Sequence, residues 1–297
     1  MHEFAIIDAP SILGLRPTGV ENLPQALKTA GLLKALNAQY LGRVKPSLPY
    51  SSERDRSTQL LNGKSIRAFS LQLAESITEV IRKRNRFIIA LGGDCSIIIG
   101  TLLALRRLGR YGLFFIDGHA DFYQPEASVS GEVADMDLAI VSGRGPNILT
   151  NIDGLKPLVK DEDIVVFGYR DGEQAVSYGS QDIVDTNMQV YSLSRVKELG
   201  TTNASYLAIR KLLKDGIDGF WIHLDADVLD DSIMPAVDYR LEGGLSFSEL
   251  SDLLKTIYSS GHAVGMSITI FNPCLDLDGS IARKFVSSVV DGLLKTS

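Results

Sequence analysis

The feature that most constrains this chain is a series of short, mainly apolar runs separated by longer amphipathic stretches. Phe87-Ile88-Ile89-Ala90-Leu91, Gly112 to Ile116, Ile164 to Phe167, Phe220 to Leu224 and Ala263 to Phe271 are such runs, and Phe4 to Ile7 is a shorter one. A strand that is apolar at every position is buried on both faces, which is the mark of a parallel sheet covered by helices. The stretches between them carry apolar residues at helical spacing. Residues 66 to 85 do so through Ile66, Leu71, Leu73, Ile77, Val80 and Ile81. Gly19 to Leu36, Ile97 to Arg107, Ala204 to Leu213, Leu250 to Ile257 and Ile281 to Leu294 read the same way. The alternation predicts βαβ units and one large α/β sheet. Residues 40 to 62 are polar and aperiodic and are expected to form a loop. No Pro-, Gly- or Ser-rich linker divides residues 1 to 297, so a single domain is expected.

Composition narrows the function. The 297 residues hold 30 Lys plus Arg against 36 Asp plus Glu, a net charge of −6, so there is no basic excess to neutralise nucleic-acid phosphates. With 45% apolar and 22% charged residues the chain is no disordered tail. Cys95 and Cys274 cannot form a disulfide framework in a chain of this size, which points to a reducing compartment. The start, Met1 to Asp8, has no cationic segment followed by a long apolar one. No apolar run nears the roughly 18 residues that span a bilayer. A soluble, cytoplasmic protein without nucleic-acid or membrane partners is expected.

Three acidic clusters follow three of the predicted strands. They are Gly92-Gly93-Asp94-Cys95-Ser96, Asp117-Gly118-His119-Ala120-Asp121 and Asp225-Ala226-Asp227. Ligands of open α/β sheets bind outside the carboxyl ends of the strands. In extended chain, residues two apart project to one side, so Asp117, His119 and Asp121 converge, as do Asp225 and Asp227. Four carboxylates gathered there repel one another unless counter-charge is present, and two divalent cations supply it. Carboxylate with imidazole suits Mn²⁺, Zn²⁺, Fe²⁺ or Ni²⁺. Such a pair can lower the pKa of a shared water and hold it against an electrophilic carbon. One D-x-H-x-D alone would also arise as a solvated turn. Two motifs, each after a buried strand, favour the cation site.

In these motifs the chain resembles the ureohydrolase superfamily of arginase, agmatinase and formimidoylglutamase. That family shares Gly-Gly-Asp-His-Ser, Asp-Ala-His-x-Asp and Ser-x-Asp-x-Asp-x-x-Asp-Pro, in this order. Here the third reads His223-Leu224-Asp225-Ala226-Asp227-Val228-Leu229-Asp230-Asp231. Pro235-Ala236, Gly243-Gly244-Leu245-Ser246 and Phe271-Asn272-Pro273 extend the likeness, which begins near Val20-Glu21-Asn22-Leu23-Pro24. The resemblance implies a three-layer α/β/α fold around a mostly parallel eight-stranded sheet. It implies two divalent metal ions, usually Mn²⁺, and hydrolysis of a linear C–N bond in a small guanidino or amidine substrate by a metal-bridging hydroxide. The ligands carried over are Cys95, Asp117, His119, Asp121, Asp225 and Asp227, with Asp121 and His119 catalytic. Asp121 would shuttle the proton of the hydroxide. Asp94 and Asp230 would hydrogen-bond backbone or ligand side chains without binding metal, and His223 would donate to a ligand carboxylate from behind. A homo-oligomer of three or six copies is implied by the same analogy.

The departures from the family pattern are chemical. Cys95 stands where the family has His; its softer sulfur admits Zn²⁺, Fe²⁺ or Ni²⁺ beside Mn²⁺. Ile270 stands where a Glu pairs with the substrate guanidinium. Losing that partner costs several kcal/mol at a buried site, so another acid takes its place or the substrate is no simple guanidine. Glu132, Asp135, Asp137 and Glu242 are the candidates. Ala134 replaces a His of arginases that assists the leaving amine. Ser130 matches a substrate-contacting Ser, Glu173 the place of an acid that binds a substrate α-amino group, and Asp135 is a further substrate-binding candidate. Ile270 and Ala134 also motivate an alternative, a catalytically impaired relative that serves as a metal-binding or interaction subunit.

Overall fold

The structure, a computed structural model, describes residues 3–82 and 86–294. Eight strands form one sheet: β1 (Glu3–Asp8), β2 (Gln39–Arg43), β3 (Arg86–Leu91), β4 (Tyr111–Ile116), β5 (Ile164–Phe167), β6 (Gln189–Tyr191), β7 (Gly219–Asp225) and β8 (Ala263–Thr269). Their order is β2-β1-β3-β8-β7-β4-β5-β6, and every neighbouring pair is parallel. The expected three-layer α/β/α fold is what the chain adopts.

Alternation along the strands builds two cores. Ile88, Ala90, Leu113, Phe115 and Trp221 face the helices Gly63–Arg82 and Ile97–Arg106, meeting Phe69, Leu73, Leu102 and Leu105. Phe87, Ile89, Phe114, Ile116, Phe220 and Ile222 face the helices Phe247–Ser259 and Ser280–Leu294, meeting Leu250, Leu254, Phe285 and Val289. Each such side chain contributes about 1.5–3 kcal/mol when fully buried. Register then sets the site. Leu91 lies opposite Ile268, Leu224 opposite both Ile268 and Ile116, and Asp225 opposite Thr269. The carboxyl ends of β3, β8, β7 and β4 therefore finish at one level, and the loops that follow them meet.

Several boundaries differ from the sequence reading. The stretch 40 to 62 contributes most of β2. Gly19 to Leu36 is broken, with helices at Leu23–Thr29 and Leu32–Ala35 either side of Gly31, whose φ is +101°. β8 stops at Thr269 because Ile270 turns to a φ of +68°. Residues 83–85 of the expected helix lie outside the described residues. Among the described residues, no helix is long and apolar enough to cross a membrane.

Candidate metal centre and active site

The turn after β3 is shaped by Gly93. A Cβ there would lie 1.9 Å from the Ser11 carbonyl oxygen, so the loop after β1 packs directly on its backbone. The Asp94 N–H donates to that carbonyl at 3.0 Å, and the Ile270 N–H donates to the Gly93 carbonyl at 2.8 Å. Cys95 and Ile270 are thereby brought to the same wall. The Cys95 thiol is buried, 2.8 Å from Asp225 Oδ2 and 3.1 Å from Thr269 Oγ1. Asp94 Oδ1 accepts the Ser96 N–H at 2.9 Å and so braces the turn that carries Cys95.

After β4 and β7, the carboxylates brace the turns that carry them. Asp117 Oδ1 accepts the His119 N–H at 2.7 Å, and Asp225 Oδ1 accepts the Asp227 N–H at 2.8 Å. Asp227 Oδ1 accepts the Gly118 N–H at 3.0 Å, while its Oδ2 is 2.9 Å from His119 Nδ1. With one oxygen fixed to backbone, the second meets the cluster: Asp225 Oδ2 pairs with the Cys95 thiol and Asp227 Oδ2 with His119, while Asp117 Oδ2 is buried without a hydrogen-bond partner among the described residues. The candidate ligand atoms fall into overlapping sets, each lying within 4.8 Å of one another. One is Asp117, His119 and Asp227; a second is Cys95, Asp117, His223 and Asp225; a third is Cys95, Asp121 and Asp137.

The electrostatics fit a cation pair. Burial, followed by the neighbouring carboxylates, pushes Asp117, Asp121 and Asp225 well above the usual carboxylate range. Burial and then Asp225 push the Cys95 thiol up as well. Asp227 goes the other way: burial opposes its charge, but His119 and Arg170 hold it down. His119 is in turn pushed up to about 9, against burial, by Asp227. Buried oxygens without partners and mutually repelling acids are what divalent cations relieve.

These donors open onto a cavity of about 380 Å³, within the usual range for small-ligand sites. Cys95, His119, Asp121, Asp225 and Asp227 stand on its wall with Ser130, Ala134, Asp135, Asp171 and Ile270. Ser130 Oγ donates to Asp135 Oδ2 at 2.8 Å. Burial and then Glu132 push Asp135 up to about 6. The four acids considered as substitutes for position 270 thus separate. Glu132 is fully buried and held by Arg16 Nε and the Tyr239 hydroxyl, each at 2.8 Å. Glu242 is exposed and absent from the wall, and Asp137 is buried behind it. Asp135 alone of the four faces the cavity.

Glu173 is exposed and does not reach the wall; Asp171, Gln174 and Tyr178 stand there instead. Sequence reading missed these three, along with Tyr123, Tyr239 and Arg240. Asp171 also accepts the Ala120 N–H at 2.8 Å and so fixes the turn before Asp121. His223 is fully buried and stacked on Phe115 with ring centroids 4.7 Å apart. Trp221 Nε1 can only donate, and it donates to Ser267 Oγ at 3.2 Å. The Ser267 hydroxyl can then donate to His223 Nδ1 at 2.9 Å, leaving Nε2–H directed at Thr269. Burial lowers His223 to about 3, so it is a neutral donor beside the cluster. Asp230 accepts from the Ser232 N–H and hydroxyl, holding a backbone turn rather than a ligand.

The model of the Arginase family matches residues 2–294. The chain belongs to the arginase family. It is 31% identical to an arginase of Staphylococcus aureus over 291 residues, which cover 96% of this chain and 94% of that one. The structure of the arginase from Bacillus caldovelox superposes with a TM-score of 0.89 at 28% identity, covering 100% of this chain and 99% of that one. The formimidoylglutamase of Bacillus subtilis shares the fold, with a TM-score of 0.74 at 18% identity, covering 99% of this chain and 86% of that one.

Proposed function

We propose that this arginase-family protein is a metal-dependent hydrolase that cleaves a linear C–N bond of a small guanidino or amidine molecule. The observation that carries the reading is the convergence of Cys95, His119, Asp121, Asp225 and Asp227 from three adjacent loops at one cavity, with Asp117 among them in the same ligand clusters. Two divalent cations bound there would cancel the charge of the four Asp and supply a water of lowered pKa. Asp121 opens to the cavity, and its carboxylate is placed to take a proton from the attacking water and return it to the leaving nitrogen. His119 holds Asp227 in position. Ser130 fixes Asp135, the one of the four considered acids that stands on the same wall as Ile270.

Ile270 sets the substrate preference. A planar guanidinium against it lacks a bidentate partner, so arginine and agmatine are expected to be poor substrates. The free cysteines support a reducing, cytoplasmic setting, and an assembly of three or six copies follows the family. The second reading, a metal-binding subunit without turnover, is favoured by Ile270 and Ala134 on the wall.

The deciding experiment joins metal analysis of protein purified without chelator to a urea and ammonia release screen. The panel is arginine, hydroxyarginine, agmatine, guanidinobutyrate and formiminoglutamate. Two metal equivalents with release from one or more of these is expected. Two equivalents with release from none favours the binding subunit. Less than one equivalent under manganese, zinc and nickel supplementation alike overturns the two-cation site.

A further inference from the structure

Asp137 is a buried acid that the proposed reaction does not use. It opens the short helix Asp137–Val141 and is 0% exposed. Neither of its carboxylate oxygens has a hydrogen-bond partner among the described residues. An acid kept in the interior for structure is normally satisfied by donors, because an unpaired buried charge is costly. An acid that binds substrate would stand on the cavity wall, and Asp137 does not. What it faces is the cluster: its ligand atom lies within 4.8 Å of those of Cys95 and Asp121. The position is fixed, since the Ala139 N–H in the same helix donates to the Asp121 carbonyl at 3.3 Å.

We propose that Asp137 is a ligand of the cation held on the Cys95 side of the pair, entering from the protein side opposite the cavity. The proposal rests on the two-cation reading above. Its chemistry matches the exchange at position 95. A thiol is a softer donor than imidazole and by itself turns a site toward zinc or iron. A further carboxylate returns a hard oxygen donor to the same cation, and its charge raises that cation's affinity. Asp137 therefore lets a site containing Cys95 hold manganese, and it does so without narrowing the cavity.

The test uses the full-length protein, stripped with chelator and dialysed, in three forms: unmodified, Asp137→Asn and Asp137→Ala. Manganese is titrated by calorimetry, and bound metal is counted after gel filtration. The unmodified protein should hold two equivalents. Both variants should lose one of them or bind it at least about tenfold more weakly, the other being unchanged. The cobalt-loaded protein identifies which cation is affected: a thiolate-to-cobalt band from Cys95 should disappear together with the lost equivalent. The metal-free variants should melt at or above the metal-free unmodified protein, because an unsatisfied carboxyl has been removed. Two equivalents at unmodified affinity in both variants would overturn the role of Asp137 and leave the two-cation reading standing. So would a cobalt band that forms in the variants at the same cobalt concentration as in the unmodified protein, or metal-free variants that melt lower. No metal on the unmodified protein would overturn both.

Discussion

Cys95 and Ile270 are single residues at which a conserved-looking framework changes its chemistry. The thiol lies 2.8 Å from Asp225 Oδ2, where a cation would take the place of the shared proton. Cys95→His should shift the metal preference toward the harder Mn²⁺ and reduce inactivation by peroxide, read by competitive loading of manganese against zinc and by residual metal after oxidation. An unchanged profile would mark Cys95 as packing only. Ile270 carries a different signature. A β-branched residue at a φ of +68° is a genuine backbone outlier, and this one is stationed on the cavity wall. Ile270→Glu removes the β-branch and restores a carboxylate. Guanidino hydrolysis should rise while metal stoichiometry stays the same, since positioning accounts for several kcal/mol of barrier and metal binding does not involve position 270. Robust turnover of arginine by the unmodified protein would show that Asp135 already makes that contact.

At the scale of elements, legibility in the sequence followed burial. β3, β4, β5 and β7 are flanked by strands on both sides and helices on both faces, so their sequences are largely apolar and easily read. β2 and β6 are the edges, each paired on one side only. Gln39–Arg43 is largely exposed and Gln189–Tyr191 has three residues, so neither carries an apolar run. The ligand loops were legible because each follows a buried strand. The wall was less legible, because it comes from irregular loops, which carry Tyr123, Tyr239 and Arg240, and from one short helix. The helix Gly172–Ser177 turns Asp171, Gln174 and Tyr178, spaced three and four apart, toward the cavity and Glu173 away from it. Gln174→Ala should therefore raise KM for the true substrate, and Glu173→Ala should leave steady-state kinetics unchanged. The reverse outcome would mean that this helix repositions on binding. Elsewhere an element can be weakened without touching the site. Ser246 and Glu249 form a capping box on the helix Phe247–Ser259, and Ser246→Ala should cost about 1 kcal/mol of stability in denaturant melts with activity retained.

For the whole molecule, the consequence of this architecture is that its sheet ends in a concentration of negative charge. Parallel pairing and common register bring the ends of β3, β4, β7 and β8 to one level, so the acids that follow them meet in the interior instead of dispersing over the surface. Under the proposed two-cation reading, bound cations would be part of what holds the folded state together. A cation pair at a hundred times its dissociation constant contributes about 2.7 kcal/mol per site, because it binds the folded chain and not the unfolded one. Chelation should lower the melting temperature by several degrees, and manganese should restore it. The pH dependence of the stripped protein follows from the same charges. Asp117, Asp121 and Asp225 have folded-state pKa values raised above the unfolded ones, so the folded chain binds more protons than the unfolded chain. Their contribution is fully present below the ordinary carboxylate pKa of about 3.9 and is lost as pH rises through the raised values. Asp227, held low by His119, and His223, lowered to about 3 by burial, oppose this, while Asp135 and Asp137, also raised by burial, add to it. Stripped protein should thus lose stability between mildly acidic and neutral pH, and metal-loaded protein should gain it there as cations displace the protons. Melting curves across that range, with and without manganese, check the sign: if the metal-free protein is most stable at neutral pH, the carboxylates are not massed in the interior as the register of the four strands requires.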